Sequence, residues 1–158
     1  MNLACHSNGD IYVKTFTSKR HGFQIDIPDH WSCPPTGFFA RLLASDANPE
    51  FKRTPRESMN FEIGPLSPEP PLEETTEAFL EYAGYVGHRD VRPGRILVAG
   101  REHFCAVYRA KEGVWLKKYA LVFDGTEYAI TCTLGSDQAK VEETESVYDE
   151  VVRSFRLP

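Results

Sequence analysis

No stretch of this sequence approaches the roughly 18 consecutive apolar residues of a membrane-crossing helix, so no membrane span is expected. The opening residues "MNLACHSNGD" hold neither a basic segment nor an apolar one. As written they do not read as a secretory signal, and a cytoplasmic location is the expectation. "NLAC" resembles a lipoprotein acylation box, but nothing hydrophobic precedes it. Cysteine is scarce: Cys5, Cys33, Cys105 and Cys132, with no CxxC pair. Cys105 and Cys132 sit in apolar stretches, where a reduced thiol packs as a small hydrophobe. Positive charge is in deficit, with a formal net charge of -5. That disfavours nucleic acid as a partner, because phosphate affinity rests on clustered Lys and Arg. An acidic face remains open to a basic protein.

The motifs of catalysis are missing as well. The five histidines are His6, His21, His30, His88 and His103. No two are three to five residues apart, so no HExxH helix exists. His88-Arg89-Asp90 and Glu102-His103 each offer a nitrogen beside an oxygen, which supports at most weak metal binding. There is no GxSxG elbow, no GxGxxG and no P-loop. Cys33 precedes two prolines, and nothing beside it would lower its pKa. No catalytic residue, cofactor or metal site is therefore assigned.

What is present is an alternation of strands and helices. "IYVKTFTS" and "GFQIDI" alternate and predict a hairpin. "SMNFEIGPL" predicts a strand. "LEETTEAFLEYAGYV" places Leu72, Thr75, Phe79, Tyr82 and Val86 at helical spacing, with acids in the first turn. "GRILVAG" and "REHFCAVYRAK" predict two strands meeting near Gly100. "VWLKKYALVFDG" and "EYAITCTL" predict a second hairpin, turning at Asp124-Gly125. Apolar residues on both faces, as in "YALVF", imply a sheet covered on both sides. The last segment places Val141, Val147, Tyr148, Val151, Val152 and Phe155 on one stripe of a helix. The reading is a single α+β domain over residues 10–158 after a tail of residues 1–9. Its antiparallel sheet of about six strands lies sandwiched between helices.

Taken in order, "GFQIDIPDHW", "KKYALVFDGTEYAITCT" and "VYDEVVRSFRL" resemble the PsbP-like superfamily over roughly residues 10–158. That group includes PsbP of the photosystem, a nuclear-transport factor that binds the GTPase Ran, the DcrB proteins and chaperones of type VI secretion effectors. The resemblance implies a sheet between helices and a binding or assembly role rather than catalysis. It supplies no residue signature for a Ran-binding or effector-binding surface.

Two surfaces are candidates. Residues 32–57 combine Phe38, Phe39, Leu42, Leu43 and Phe51 with Arg41 and Arg53, and aromatics and arginine are enriched at interface cores. "YVGHRDVRPGR" (85–95), read as a connection after the first helix, adds His88, Arg89 and Arg92. The expected function is protein binding or chaperone-like assembly, with partner and oligomeric state left open. The alternative is a small-molecule-binding protein or hydrolase with a pocket between sheet and helix, favoured if Cys33, His30 or His88 converge. The corner "PDHW" reads as structural: Pro28 ends the strand, and Trp31 folds back to be buried. Trp115 is expected to share a face with Tyr119 and Leu121.

Overall fold

The structure, a computed structural model, describes residues 3–5, 12–29, 31, 41–43 and 58–158, with the backbone alone at 3–5, 12 and 41–43. The segments with period-two patterns are strands. β2 (Tyr12–Ser18) and β3 (Phe23–Pro28) form the expected antiparallel hairpin, and β1 (Leu3–Cys5) pairs with the free side of β2. The larger sheet joins β4 (Arg41–Leu43), β5 (Ser58–Pro65), β6 (Arg89–Val98), β7 (Arg101–Arg109), β8 (Trp115–Phe123) and β9 (Thr126–Gly135). Its spatial order is β4-β5-β9-β8-β7-β6, antiparallel at every step. Helix α1 (Leu72–Val86) covers one face, and α2 (Gln138–Arg153) with the β2–β3 hairpin covers the other. The fold is thus α+β, with an antiparallel six-stranded sheet between helices, as the sequence implies.

The two-sided apolar pattern follows from that layering. Along β7, Cys105 and Val107 join the α2-side core, while Phe104, Ala106 and Tyr108 face α1. Trp115, Tyr119 and Leu121 all lie on the α2 side, as their spacing requires. The terminal stripe also holds: Val141, Tyr148, Val151 and Val152 are buried, and Phe155 follows just beyond the helix. At the first corner, β3 ends at Pro28, whose carbonyl accepts a 3.0 Å hydrogen bond from the Trp31 N–H. Trp31 is only 3% exposed, its ring 5.6 Å from that of Tyr148. The corner buries Trp31 as expected, while His30 lies outside the described residues.

Three details depart from the reading of the sequence. First, the β2–β3 hairpin is not part of the main sheet, whose sixth strand is β4, inside the segment "FFARLL". The free edge of β3 is closed instead by the chain after α2. Gln24 and Arg156 exchange backbone hydrogen bonds of 2.9 and 3.0 Å, and the Asp26 N–H donates to Ser154 Oγ at 2.7 Å. Second, β6 begins at Arg89, so the latter part of 85–95 is strand, not connection. Pro93 is tolerated there because β6 is an edge strand and needs no donor on its open side. Third, Tyr82 does not belong to the buried stripe of α1 and is 56% exposed. Ala83 is buried in its place, against Ala106 and Ala120 of the sheet. Small residues on both sides let the helix approach closely, and that rotation turns Tyr82 outward.

Candidate functional site

Helix α1 ends where the sequence places its glycines. Gly87 adopts a left-handed conformation, φ 84°, and the next N–H, that of His88, donates to Ala83 O at 2.9 Å. This reversal lays the His88 ring on Tyr108 of β7, with centroids 4.4 Å apart and planes 28° apart. Tyr82 meets His88 edge-on at 6.1 Å. Burial lowers the pKa of His88 against a weaker opposing pull from Glu112, and it pushes the Tyr108 phenol up to about 12. His88 is therefore a neutral stacking ring at neutral pH, and its Nδ1 is buried without a partner among the described residues. Beyond it stands Tyr85, 90% exposed.

The chain then enters β6 through an irregularity between Arg89 and Arg92, with Asp90 at φ 53°. Asp90 pairs with Arg109 of β7 at 2.8 Å. Arg92 lies over the buried indole of Trp115, its Cζ 5.1 Å from the ring, and Arg109 approaches the same ring at 5.6 Å. Farther along, Arg95 is held by Glu73 and Glu102, and Arg101 by Glu69. Arg89 and Arg92 have no acidic partner among the described residues. At this end of the domain Tyr82, Tyr85 and His88 lie on the α1 side of the sheet, and Arg92 lies over Trp115 on the α2 side.

The candidates from the sequence do not form one cluster. Arg41 falls in β4 and Arg92 in β6, at opposite edges of the sheet. Five strand spacings separate them, roughly 24 Å at the usual ~4.8 Å each. Phe38, Phe39, Phe51, Arg53, His30 and Cys33 lie outside the described residues. Tyr85 lay within the candidate stretch 85–95 without being singled out, and Arg109 was not anticipated. Tyr85 was legible, since six residues past Phe79 is about 240° round the helix, away from the buried face. Arg109 was not, because its partners come from β6 and β8.

Neither metal pairing survives as a chelate. Adjacent strand residues face opposite ways. His103 is buried, with Nδ1 accepting from the Val122 N–H at 3.1 Å, while exposed Glu102 faces Arg95. Asp90 is engaged by Arg109. No group of three metal-ligating residues exists among the described residues. A buried polar cluster does occur on the α2 side. Lys117 Nζ donates to Glu145 at 2.7 Å and Asp149 at 2.8 Å, and the Tyr119 hydroxyl donates to Asp149 at 2.5 Å. Burial alone would lower the lysine pKa, but the hydrogen bonds from its two carboxylates prevail and raise it. A lysine held protonated is no nucleophile. The cluster fastens α2 to β8. Cys105 and Cys132 are free and buried, and burial raises both thiols, which keeps them unreactive.

No family model matches the chain, and no curated protein matches it in sequence. Solved structures match the whole fold. Cyanobacterial PsbP (CyanoP) from Synechocystis sp. PCC 6803 gives a TM-score of 0.63 at 12% identity, over 98% of both chains. The fold is PsbP-like. The Saccharomyces cerevisiae Ran-binding protein Mog1p gives 0.61 at 11% identity, covering 94% of this chain and 96% of its own. A point mutant of Mog1 gives 0.60 at 12%, covering 92% and 95%. The resemblance read in the sequence therefore holds at the level of fold, for PsbP and for the Ran-binding protein.

Proposed function

We propose that this chain is a non-catalytic protein-binding or assembly domain, and that one contact surface is the end built by Tyr82, Tyr85, His88, Arg89 and Arg92. The observation that carries this reading is two exposed tyrosines on α1 and, at the same end of the sheet, two exposed arginines with no acidic partner among the described residues. Aromatics and arginine dominate the energetic centres of protein interfaces. That one protein of this fold, Mog1p, is a Ran-binding protein supports a protein partner in general. The segment 32–57, with Phe38, Phe39, Arg41, Phe51 and Arg53, is proposed on its composition as a second contact region. A chaperone for a secreted effector is a specific version of the reading, supported by the sequence resemblance alone.

The test is capture from native lysate with the intact chain as bait, beside the double variant Tyr85→Ala, Arg89→Ala. Both residues are exposed, so the thermal midpoint of the variant is expected to match the parent. A stoichiometric partner retained by the parent and lost by the variant supports the surface. A partner retained equally by both moves the contact elsewhere, and no partner over several salt concentrations removes the reading.

A further inference from the structure

Where β6 meets the start of α2, an open cavity of about 440 Å³ is lined by Asp90, Val91, Arg92, Arg109, Trp115 and Gln138. Its charge is unbalanced: two guanidiniums face one carboxylate. Asp90 occupies Arg109 Nη2, but the Nε–H of Arg109 is buried with no acceptor among the described residues. Arg92 rests on the indole of Trp115 without an acid to engage its fork. The buried Trp115 ring lies beneath the two guanidiniums. The end of α2 is not the attraction, because Asp137 already caps it by accepting from the Ala139 N–H at 3.1 Å.

From this geometry we infer that the cavity is a receptor for a carboxylate side chain, a glutamate on an acidic segment of the protein partner. It rests on the reading of this end as a contact surface and names the chemistry that the surface selects. A carboxylate is planar and singly charged, which matches the guanidinium fork and the cavity's excess of one positive charge. A phosphate dianion would carry more charge than the excess and would be repelled by Asp90. The cavity opens beside an edge strand, so a chain running past β6 can reach it without being threaded.

The intact ¹⁵N-labelled protein is titrated with pentaglutamate while the indole N–H resonance of Trp115 is followed, assigned by its loss in Trp115→Phe. Pentaglutamine, succinate and inorganic phosphate are titrated in parallel. Saturable shifts with pentaglutamate and not with pentaglutamine are expected, weakened at least tenfold in Arg92→Gln. Arg92 is exposed, so that variant is expected to keep the parent's thermal midpoint. Asp90→Asn, which removes the competing carboxylate, is expected to tighten binding severalfold. No Trp115 shift, or a shift that survives Arg92→Gln, overturns the inference. So does succinate or phosphate binding as tightly as pentaglutamate, which would make the site one for small anions. The titration needs no natural partner. The cavity can therefore fail while lysate capture succeeds, and capture can fail while the cavity binds the peptide.

Discussion

His103 and Trp31 show how single residues carry this fold. β7 and β8 separate at the end where His103 lies, and the ladder leaves Val122 without backbone partners on that side. His103 Nδ1 takes its N–H and Arg101 donates to its carbonyl at 3.1 Å. An imidazole used as an acceptor in a buried site must stay neutral. Burial accordingly lowers its pKa, although a backbone contact with Val98 opposes this. The unfolded chain takes up that proton near the ordinary pH of about 6.5, whereas the folded chain resists to lower pH. Between the two values the unfolded state binds more protons, so stability falls as pH drops below about 6.5. His88, also shifted down, acts in the same direction. Urea titrations at pH 7.5 and 5.5 are expected to show a lower midpoint at the acid end. His103→Gln, which keeps an acceptor and removes the charge, should reduce the difference; an unchanged difference would clear His103. Trp31 is the simpler case. Truncating it to alanine empties a buried site against Tyr148 and should cost about 3–5 kcal/mol in a denaturant titration, and a cost under 1 kcal/mol would refute its anchoring role.

Elements were legible where local chemistry decides them. The turn at Asp124-Gly125 has φ values of 50° and 76°, the mirror-image turn that its residues favour. The turn at Ala99-Gly100 has nearly the same values, 51° and 79°, with a less suitable first residue. An alanine in the left-handed region costs about 1 kcal/mol, and asparagine tolerates it better. Ala99→Asn is therefore expected to stabilise the fold by roughly 0.5–1 kcal/mol, read as a rise in thermal midpoint. A fall would mean that the turn is set by the strands and not by its own residues. Elements were illegible where distant partners decide them. Pro93 made the start of β6 look like a connection, because nothing local reveals that the strand lies at an edge. The β2–β3 hairpin read correctly as a hairpin, yet its separation from the main sheet depends on residues 154–156, some 130 positions away. The candidate site divided in the same way. His88, Arg89 and Arg92 were visible as a basic stretch, but the placing of His88 on Tyr108 and of Arg92 beside Arg109 over Trp115 needed the register of three strands.

At the scale of the whole molecule, the two faces of the sheet are unequally covered. The α2 side joins strands, hairpin and helix in one large apolar core, reinforced by the Lys117 cluster. The α1 side rests on Phe79 and Ala83 against Phe104, Ala106, Tyr108 and Ala120. Three of those six residues are alanines, which bury little area, so Phe79 is the one large buried side chain that α1 contributes, with partly buried Leu72 packed beside the cluster. The Phe79 ring meets Phe104 at 5.3 Å and Tyr108 at 5.5 Å. A helix held by so small a core is expected to open as a unit, at a free energy below that of global unfolding. Native-state hydrogen exchange should therefore show α1 amides exchanging faster than those of α2, β8 and β9. Phe79→Ala should abolish protection in α1 while leaving protection in β8 and β9 measurable. Loss of protection everywhere would show instead that α1 is integral to one cooperative core. The inequality bears on function, because α1 carries Tyr82 and Tyr85 and positions His88 through Gly87. The proposed contact surface includes the less firmly held of the two helices, where a partner's binding would add the stability that the small α1 core does not supply.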